Sequence, residues 1–306
     1  MVAIETDKKT YDVSVLVLTY NAIYEKLLDT VKSILMQNGV DLEIIIADDG
    51  SSHKEFDKLS EFFKSYGFTE YVIIENEKNQ GTVKNYYSGL LKCSGKYVKA
   101  ISPGDRLYKK DTLKAWIEYV ETHHLRWSYS DYISYRVSEG NIVPVVARAH
   151  PRNIDKYRNS SFEEQRWQYL ALDDLFVGAA MISELGLQLT YCREIIDKVV
   201  YAEDNVYRLM MFDGVPGGFY PIHTILYEYG DGISTTDDDK WGSLLEKDHE
   251  ETNKIIYSRE NIDAFQKKLK KAISIITGKN KFKKLLIKGF IPYKLSEDRQ
   301  TIGYLP

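Results

Sequence analysis

Between residues 13 and 102 the chain alternates strand-like and helix-like hydrophobic patterns through seven successive segments, and this alternation narrows its fold more than any other feature. VSVLVLTY (13–20) is β-branched and continuously apolar, the pattern of a strand covered on both faces. LLDTVKSILMQ (27–37) follows with apolar residues at 27, 28, 31, 34 and 35, which is helical spacing. LEIIIADDGSS (42–52) repeats the strand and EFDKLSEFFKSYG (55–67) the helix, and YVIIENE (71–77) reads as a third strand. TVKNYYSGLLKCSG (82–95) is a third helix stopped by glycine, and KYVKAIS (96–102) a fourth strand. Such alternation predicts right-handed crossovers and an α/β fold, a mostly parallel sheet flanked by helices.

In a sheet of this kind the ligand crevice lies beyond the carboxyl ends of the strands. The residues there are Thr19, Tyr20 and Asn21 after the first strand and Asp48, Asp49, Gly50 and Ser51 after the second. Asn79 to Gly81 follow the third strand, and Ser102 to Asp105 the fourth. No G-x-G-x-x-G follows the first strand and no G-x-x-x-x-G-K-[ST] occurs, which argues against dinucleotide-dehydrogenase and P-loop readings. The strand ends offer carboxylates, a hydroxyl and an aromatic ring, a set suited to a base and ribose. Taken alone, Asp48 to Ser51 also fit a helix-capping turn, and Asp105 a Pro-Gly turn.

From about residue 126 the pattern changes. RWSYSDYISYRV reads as a strand, 140–165 as polar loop, and LALDDLFVGAAMISELGL as a short strand leading into a helix. YAEDNVYRLMMFDG is a helix with an acidic opening, FYPIHTILYEYGDGIST a strand with glycine turns, and the chain from about 240 is helical and charged.

A hydrophobic content of 43% over 306 residues supports a large core. The two cysteines, Cys93 and Cys192, show no pairing or metal spacing, which fits a reducing, cytoplasmic setting. No stretch approaches the roughly 20 apolar residues of a spanning helix. Residues 267–294 hold ten lysines and no acid, so the body is more acidic than the net charge of −4 shows. An acidic body argues against nucleic acid as the main partner. The tail mixes Lys with Ile, Leu and Phe; it suits either packing on the body or peripheral contact with the anionic inner face of a membrane.

VSVLVLTYN, IIIADDGSS, ENEKNQGTVKNYYSGLLKCSGKYV and the acidic pair in YAEDNVYRLM together resemble the successive motifs of the family 2 glycosyltransferases, inverting enzymes of GT-A, Rossmann-like fold, over roughly residues 13–235. The resemblance implies a nucleotide-binding half (1–125), an acceptor-binding half (126–240) and a helical, lysine-rich extension (241–306). It implies a UDP-sugar donor held at Thr19, Tyr20, Asn21, Asp48 and Asp49, with Asn79, Gly81 and Asn85 matching an N-x-G…N pattern near the ribose. It further implies a base at Asp204 beside Glu203, ionised at a helix N-terminus, and acceptor contacts at Asp173 and Asp174. The acceptor would be a saccharide, glycolipid or glycoprotein.

Where the family has D-x-D this chain reads Ser102-Pro103-Gly104-Asp105, leaving Asp105 as the matching ligand for Mn²⁺ or Mg²⁺. Where many relatives carry a metal- or diphosphate-binding histidine it has Gly230, with His223 seven residues earlier. The reading is thus a hexosyltransferase. The alternative is a transferase-like nucleotide-binding or partner protein without turnover, which Ser102 and Gly104 favour and Glu203–Asp204 oppose.

Overall fold

The structure, a computed structural model, describes residues 10–138, 141–145, 157–172, 176–230, 232, 239–260 and 262–277. Strands β1 (Tyr11–Thr19), β2 (Leu42–Asp48), β3 (Tyr71–Glu75) and β4 (Gly95–Ile101) alternate with helices α1 (Tyr24–Leu35), α2 (Phe56–Tyr66) and α3 (Thr82–Leu90). These four strands pair in parallel in the order β3-β2-β1-β4. The alternation in the sequence has its cause in the packing. Val13, Val15 and Val17 of β1 pack on Leu27, Val31 and Ile34 of α1 and Leu59 and Phe63 of α2, whereas Leu16 and Leu18 join Val83 and Leu90 of α3 on the other face. Covered on both sides, the strand has no place for a polar face.

Beyond β4 the sheet becomes mixed. A two-residue strand, β5 (Arg106–Leu107), precedes α4 (Thr112–Thr122); then come β6 (Trp127–Ser138), β7 (Asn141–Pro144) and α5 (Phe162–Leu172). After a 3₁₀ turn at Gly178–Ala180 follow β8 (Met181–Glu184), α6 (Leu185–Ile195), α7 (Asn205–Asp213) and β9 (Gly217–Glu228). Strand order is β3-β2-β1-β4-β8-β6-β9-β5, with β7 paired to β6. β8 runs antiparallel to both β4 and β6, and β6 pairs with β9 in parallel. LAL at 170–172 lies at the end of helix α5 and not on a strand. Helix α4 went unread in the sequence although Leu113, Trp116, Ile117 and Val120, all buried, have helical spacing.

Two charged helices complete the described chain, α8 (Asp239–Ser258) and α9 (Ala264–Thr277). Helix α9 packs through Leu269 and Ile273, both buried, with the Arg166 guanidinium 4.5 Å above the Phe265 ring and the Lys268 ammonium 5.4 Å from Trp167. This first part of the basic tail thus packs on the body; 278–294 lie outside the described residues. Among the described residues no helix is long and apolar enough to cross a membrane.

Candidate active site

Beyond the carboxyl ends of β1 and β4 lies a cleft of about 450 Å³. The segment from β1 into α1 lends it Tyr20, Asn21 and Lys26, and the turn after β4 lends Ser102 and Asp105. The opposite wall is Val177–Ala179, Glu203, Asp204 and, at the end of β9, Glu228. Tyr20, Asn21, Asp105, Glu203 and Asp204 of the expected set therefore meet in one cavity. Such a volume suits a small-molecule substrate.

The other expected residues lie behind or beside this wall. Thr19 lines a hollow of about 80 Å³ that shares Ala22 with the larger cleft. Asn21 takes a left-handed conformation, φ 46°. Its Oδ1 accepts the Ser52 amide at 2.9 Å and its own amide donates to Ser51 Oγ at 2.6 Å, which ties the first strand-end loop to the second. The Asp48 carboxylate, fully buried, accepts both the amide and the hydroxyl of Ser51. Asp49 accepts the amides of Gln80 (2.8 Å) and Gly81 (2.9 Å), fixing the third loop. Burial pushes the Asp49 carboxyl above its ordinary range, opposed by those two amides and reinforced by Asp48. Asn85 donates to Ala47 O at 2.9 Å from a buried site, and Asn79 is exposed. Asp48 thus braces its own loop and Asp49 the next one.

Gly81 has φ +91°, and a Cβ there would lie 2.5 Å from Val200 Cγ1 and 2.7 Å from Val200 O. We expect Gly81→Ala to combine left-handed strain of about 1–2 kcal/mol with a backbone clash. A thermal melt unchanged from that of the natural chain would refute this.

Glu203 and Asp204 stand at the entrance to α7, Asp204 in the N-cap position with no side-chain capping bond. Both are partly accessible along the cleft yet surrounded by protein. The helix N-terminus does not depress the Asp204 pKa. Burial raises Glu203, with Asp204 and Asp248 adding to the rise; burial also raises Asp204, with Asp248 adding to it. Loss of hydration here outweighs the helix dipole, which is worth about 0.3–1 kcal/mol at exposed sites. Glu203 feels its neighbour's charge as well, so the two carboxyls resist being ionised together.

Asp248, on α8 and only 3% exposed, is the main residue that sequence reasoning missed. Its Oδ1 accepts the Val200 amide at 3.0 Å, and its Oδ2 accepts those of Tyr201 (2.7 Å) and Ala202 (3.1 Å). These three amides lie directly before the acidic pair. Leu245, one turn earlier, lines the cleft itself. No local pattern in LLEKDHEET marks this role, which exists only after α8 docks.

Asp105 is 4% exposed; its Oδ1 accepts the Glu228 amide at 2.9 Å and its carbonyl accepts the Thr30 hydroxyl at 2.7 Å. Burial pushes its carboxyl up to about 7, opposed by the Glu228 amide and by Lys99. Lys99, fully buried and donating to the carbonyls of Ala100 and Ala179, is pushed by burial down to about 7. Glu228 pairs with Lys26 at 2.8 Å. Among the described residues no group of three or more His, Cys, Asp or Glu is placed to hold a metal ion. Two carboxylates, Asp105 and Glu228, do line the cleft together. A nucleotide-borne Mg²⁺ or Mn²⁺ takes one or two protein carboxylates and completes its shell with phosphate and water, so this donor set fits such an ion.

His223 lies on β9 with Nδ1 3.4 Å from buried Asp131 Oδ2 and its ring edge-on to Tyr108. Gly230 is exposed, and Lys84 faces solvent. Asp173 and Asp174 lie outside the described residues.

Residues 14–184 match the Glycosyl transferase family 2 profile, more than half of the chain. The chain belongs to glycosyl transferase family 2. Among this family 2 chain's curated relatives is an uncharacterized glycosyltransferase of Rickettsia conorii, 26% identical over 153 residues, which are 45% of this chain and 24% of the relative. One of Rickettsia bellii is 28% identical over 153 residues, 45% of this chain and 21% of the relative. The chain thus spans about a quarter or less of the length of these relatives. Two solved structures share the GT-A fold. S. aureus TarS 1–349 in complex with UDP-GlcNAc superposes with a TM-score of 0.60 at 14% identity, covering 90% of this chain and 79% of that one. The mannosyltransferase PcManGT of Pyrobaculum calidifontis, in complex with GDP-Man and Mn²⁺, gives 0.62 at 11%, covering 92% and 74%.

Proposed function

We propose that this family 2 chain is an inverting glycosyltransferase that moves a hexose from a UDP-sugar to a hydroxyl of a saccharide, glycolipid or glycoprotein. The observation that carries the reading is the convergence of Tyr20, Asp105 and the Glu203–Asp204 pair on one cleft. Family membership and the nucleotide-sugar complexes of its structural neighbours support it.

In this reading Asp204 is the base. It takes the proton of the acceptor hydroxyl as that oxygen attacks the anomeric carbon, opposite the departing diphosphate. Glu203, whose carboxyl is raised by burial and by the Asp204 charge, titrates together with it. Tyr20, 52% exposed at the rim, offers a ring face to the nucleotide base, while Asp48 and Asp49 act as positioning residues that hold the three strand-end loops in register. Lys26, which lines the cleft, would offer a cation to the diphosphate. A divalent Mn²⁺ or Mg²⁺ held at Asp105 would stabilise negative charge on the leaving diphosphate.

Because Asp204 must be ionised to act, and its pKa is raised, kcat is expected to fall on acidification with a half-point above the ordinary aspartate value of about 3.9. A half-point at or below that value would remove Asp204 from the role. The function itself is tested by UDP release from a panel of UDP-sugars, with and without acceptor and Mn²⁺. Tight UDP binding with no release from any donor would favour a nucleotide-binding protein without turnover.

A further inference from the structure

The turn after β4 holds an unusual substitution of space. Gly104 has φ +100°, and a Cβ built on it would lie 2.0 Å from Glu228 Oε2 and 3.0 Å from Glu228 Cδ. The place a side chain at position 104 would need is therefore filled by a carboxylate that arrives on β9, 124 residues later in the chain. The placement is held at several points. The Glu228 amide donates to Asp105 Oδ1, Tyr135 donates its hydroxyl to the Gly104 carbonyl, and the Gly104 amide donates to Thr30 Oγ1 at 3.0 Å. Glu228 and Asp105 both line the cleft, and Lys26 stands against Glu228 Oε1.

We propose that Glu228 stands in for the acidic side chain absent at position 104, so that Asp105 and Glu228, from two separate strands, are the protein's two carboxylate ligands for the divalent metal carried by the donor diphosphate. The proposal rests on the glycosyltransferase reading above and goes beyond it by naming a ligand that the D-x-D position does not supply. Lys26 balances Glu228 until the metal and diphosphate enter. Two carboxylates are too few to hold Mg²⁺ or Mn²⁺ without phosphate oxygens, so the metal enters with the nucleotide.

The test is Mn²⁺ binding followed by electron paramagnetic resonance, with and without UDP, and UDP binding followed by calorimetry in EDTA. For the natural chain, Mn²⁺ is expected to bind at least about tenfold more tightly when UDP is present. Glu228→Gln is expected to weaken Mn²⁺ in the UDP complex by about tenfold or more while UDP affinity in EDTA is not weakened. Asp105→Asn is expected to do the same. If Glu228→Gln melts below the assay temperature, Glu228→Asp is measured instead. It keeps the charge facing Lys26 but withdraws the carboxylate by one methylene, and it too is expected to weaken Mn²⁺. An Mn²⁺ affinity within twofold of the natural chain in a folded Glu228 variant overturns the proposal. Failure to bind UDP under any condition would instead overturn the glycosyltransferase reading, so the two failures are distinguishable.

Discussion

Asp204→Asn is expected to lower kcat by roughly 10²–10⁴-fold, the usual worth of a positioned general base. UDP affinity should stay within about twofold, because Asp204 lies against Gly178 rather than on the loops that the nucleotide reading assigns to the base. The amide is nearly isosteric and the native side chain makes no capping bond, so α7 keeps its start and the melting temperature should hold. Steady-state kinetics beside UDP calorimetry read both quantities. If turnover survives, the base lies elsewhere; if UDP binding is lost as well, the residue is part of the nucleotide site.

The second large effect is expected at Asp248. Replacing it with Ala strips the acceptor from the amides of Val200, Tyr201 and Ala202 at once. A buried donor left without an acceptor costs about 1–3 kcal/mol, and partial relaxation of the loop brings the sum to about 3–5 kcal/mol. At roughly 2–4 °C per kcal/mol for a chain of this size, the melting temperature should drop by about 10 °C. Turnover should fall further than the folded fraction does, because the released segment carries Glu203 and Asp204. Asp248→Asn removes the charge but keeps one acceptor oxygen, enough for the amides of Tyr201 and Ala202 and not for that of Val200 as well. The Asp248 charge raises both neighbouring carboxyls, so removing it lowers their pKa values and moves the acid limb of kcat to lower pH. A purely structural role would cost stability and leave that limb in place.

The sequence made the parallel half of the molecule readable because its signals are local. β1 to β4 and α1 to α3 each carry their own period, and each of the four strands is followed by polar residues. The mixed half is less readable. RWSYSDYISYRV and FYPIHTILYE read as strands, but β8 is only four residues long, and the bulge at Asp131 by which β6 meets β9 has no local mark. Among the cleft-lining residues, Tyr20, Asn21, Asp105, Glu203 and Asp204 stand at positions that the motifs mark. Glu228 also lines the cleft but lies two residues before Gly230, where the motif gives no reason to single it out. Asp248 had no local mark at all. Asp48 and Asp49 were found at the correct strand end, but a string of letters does not tell whether a carboxylate faces a ligand or the next loop.

The sequence separations across the cleft have a consequence for how the molecule comes into being. Asp105 meets the Glu228 amide across 123 positions, and Lys26 meets the Glu228 carboxylate across 202. Contacts of such reach close late, since loop entropy must be overcome before they add stability. During synthesis the first four strands emerge and pair well before β9 exists, and Asp105 then lacks the amide that will hold it. The cleft is thus completed only once β9 has paired, and a nascent chain has its scaffold before it has its far wall.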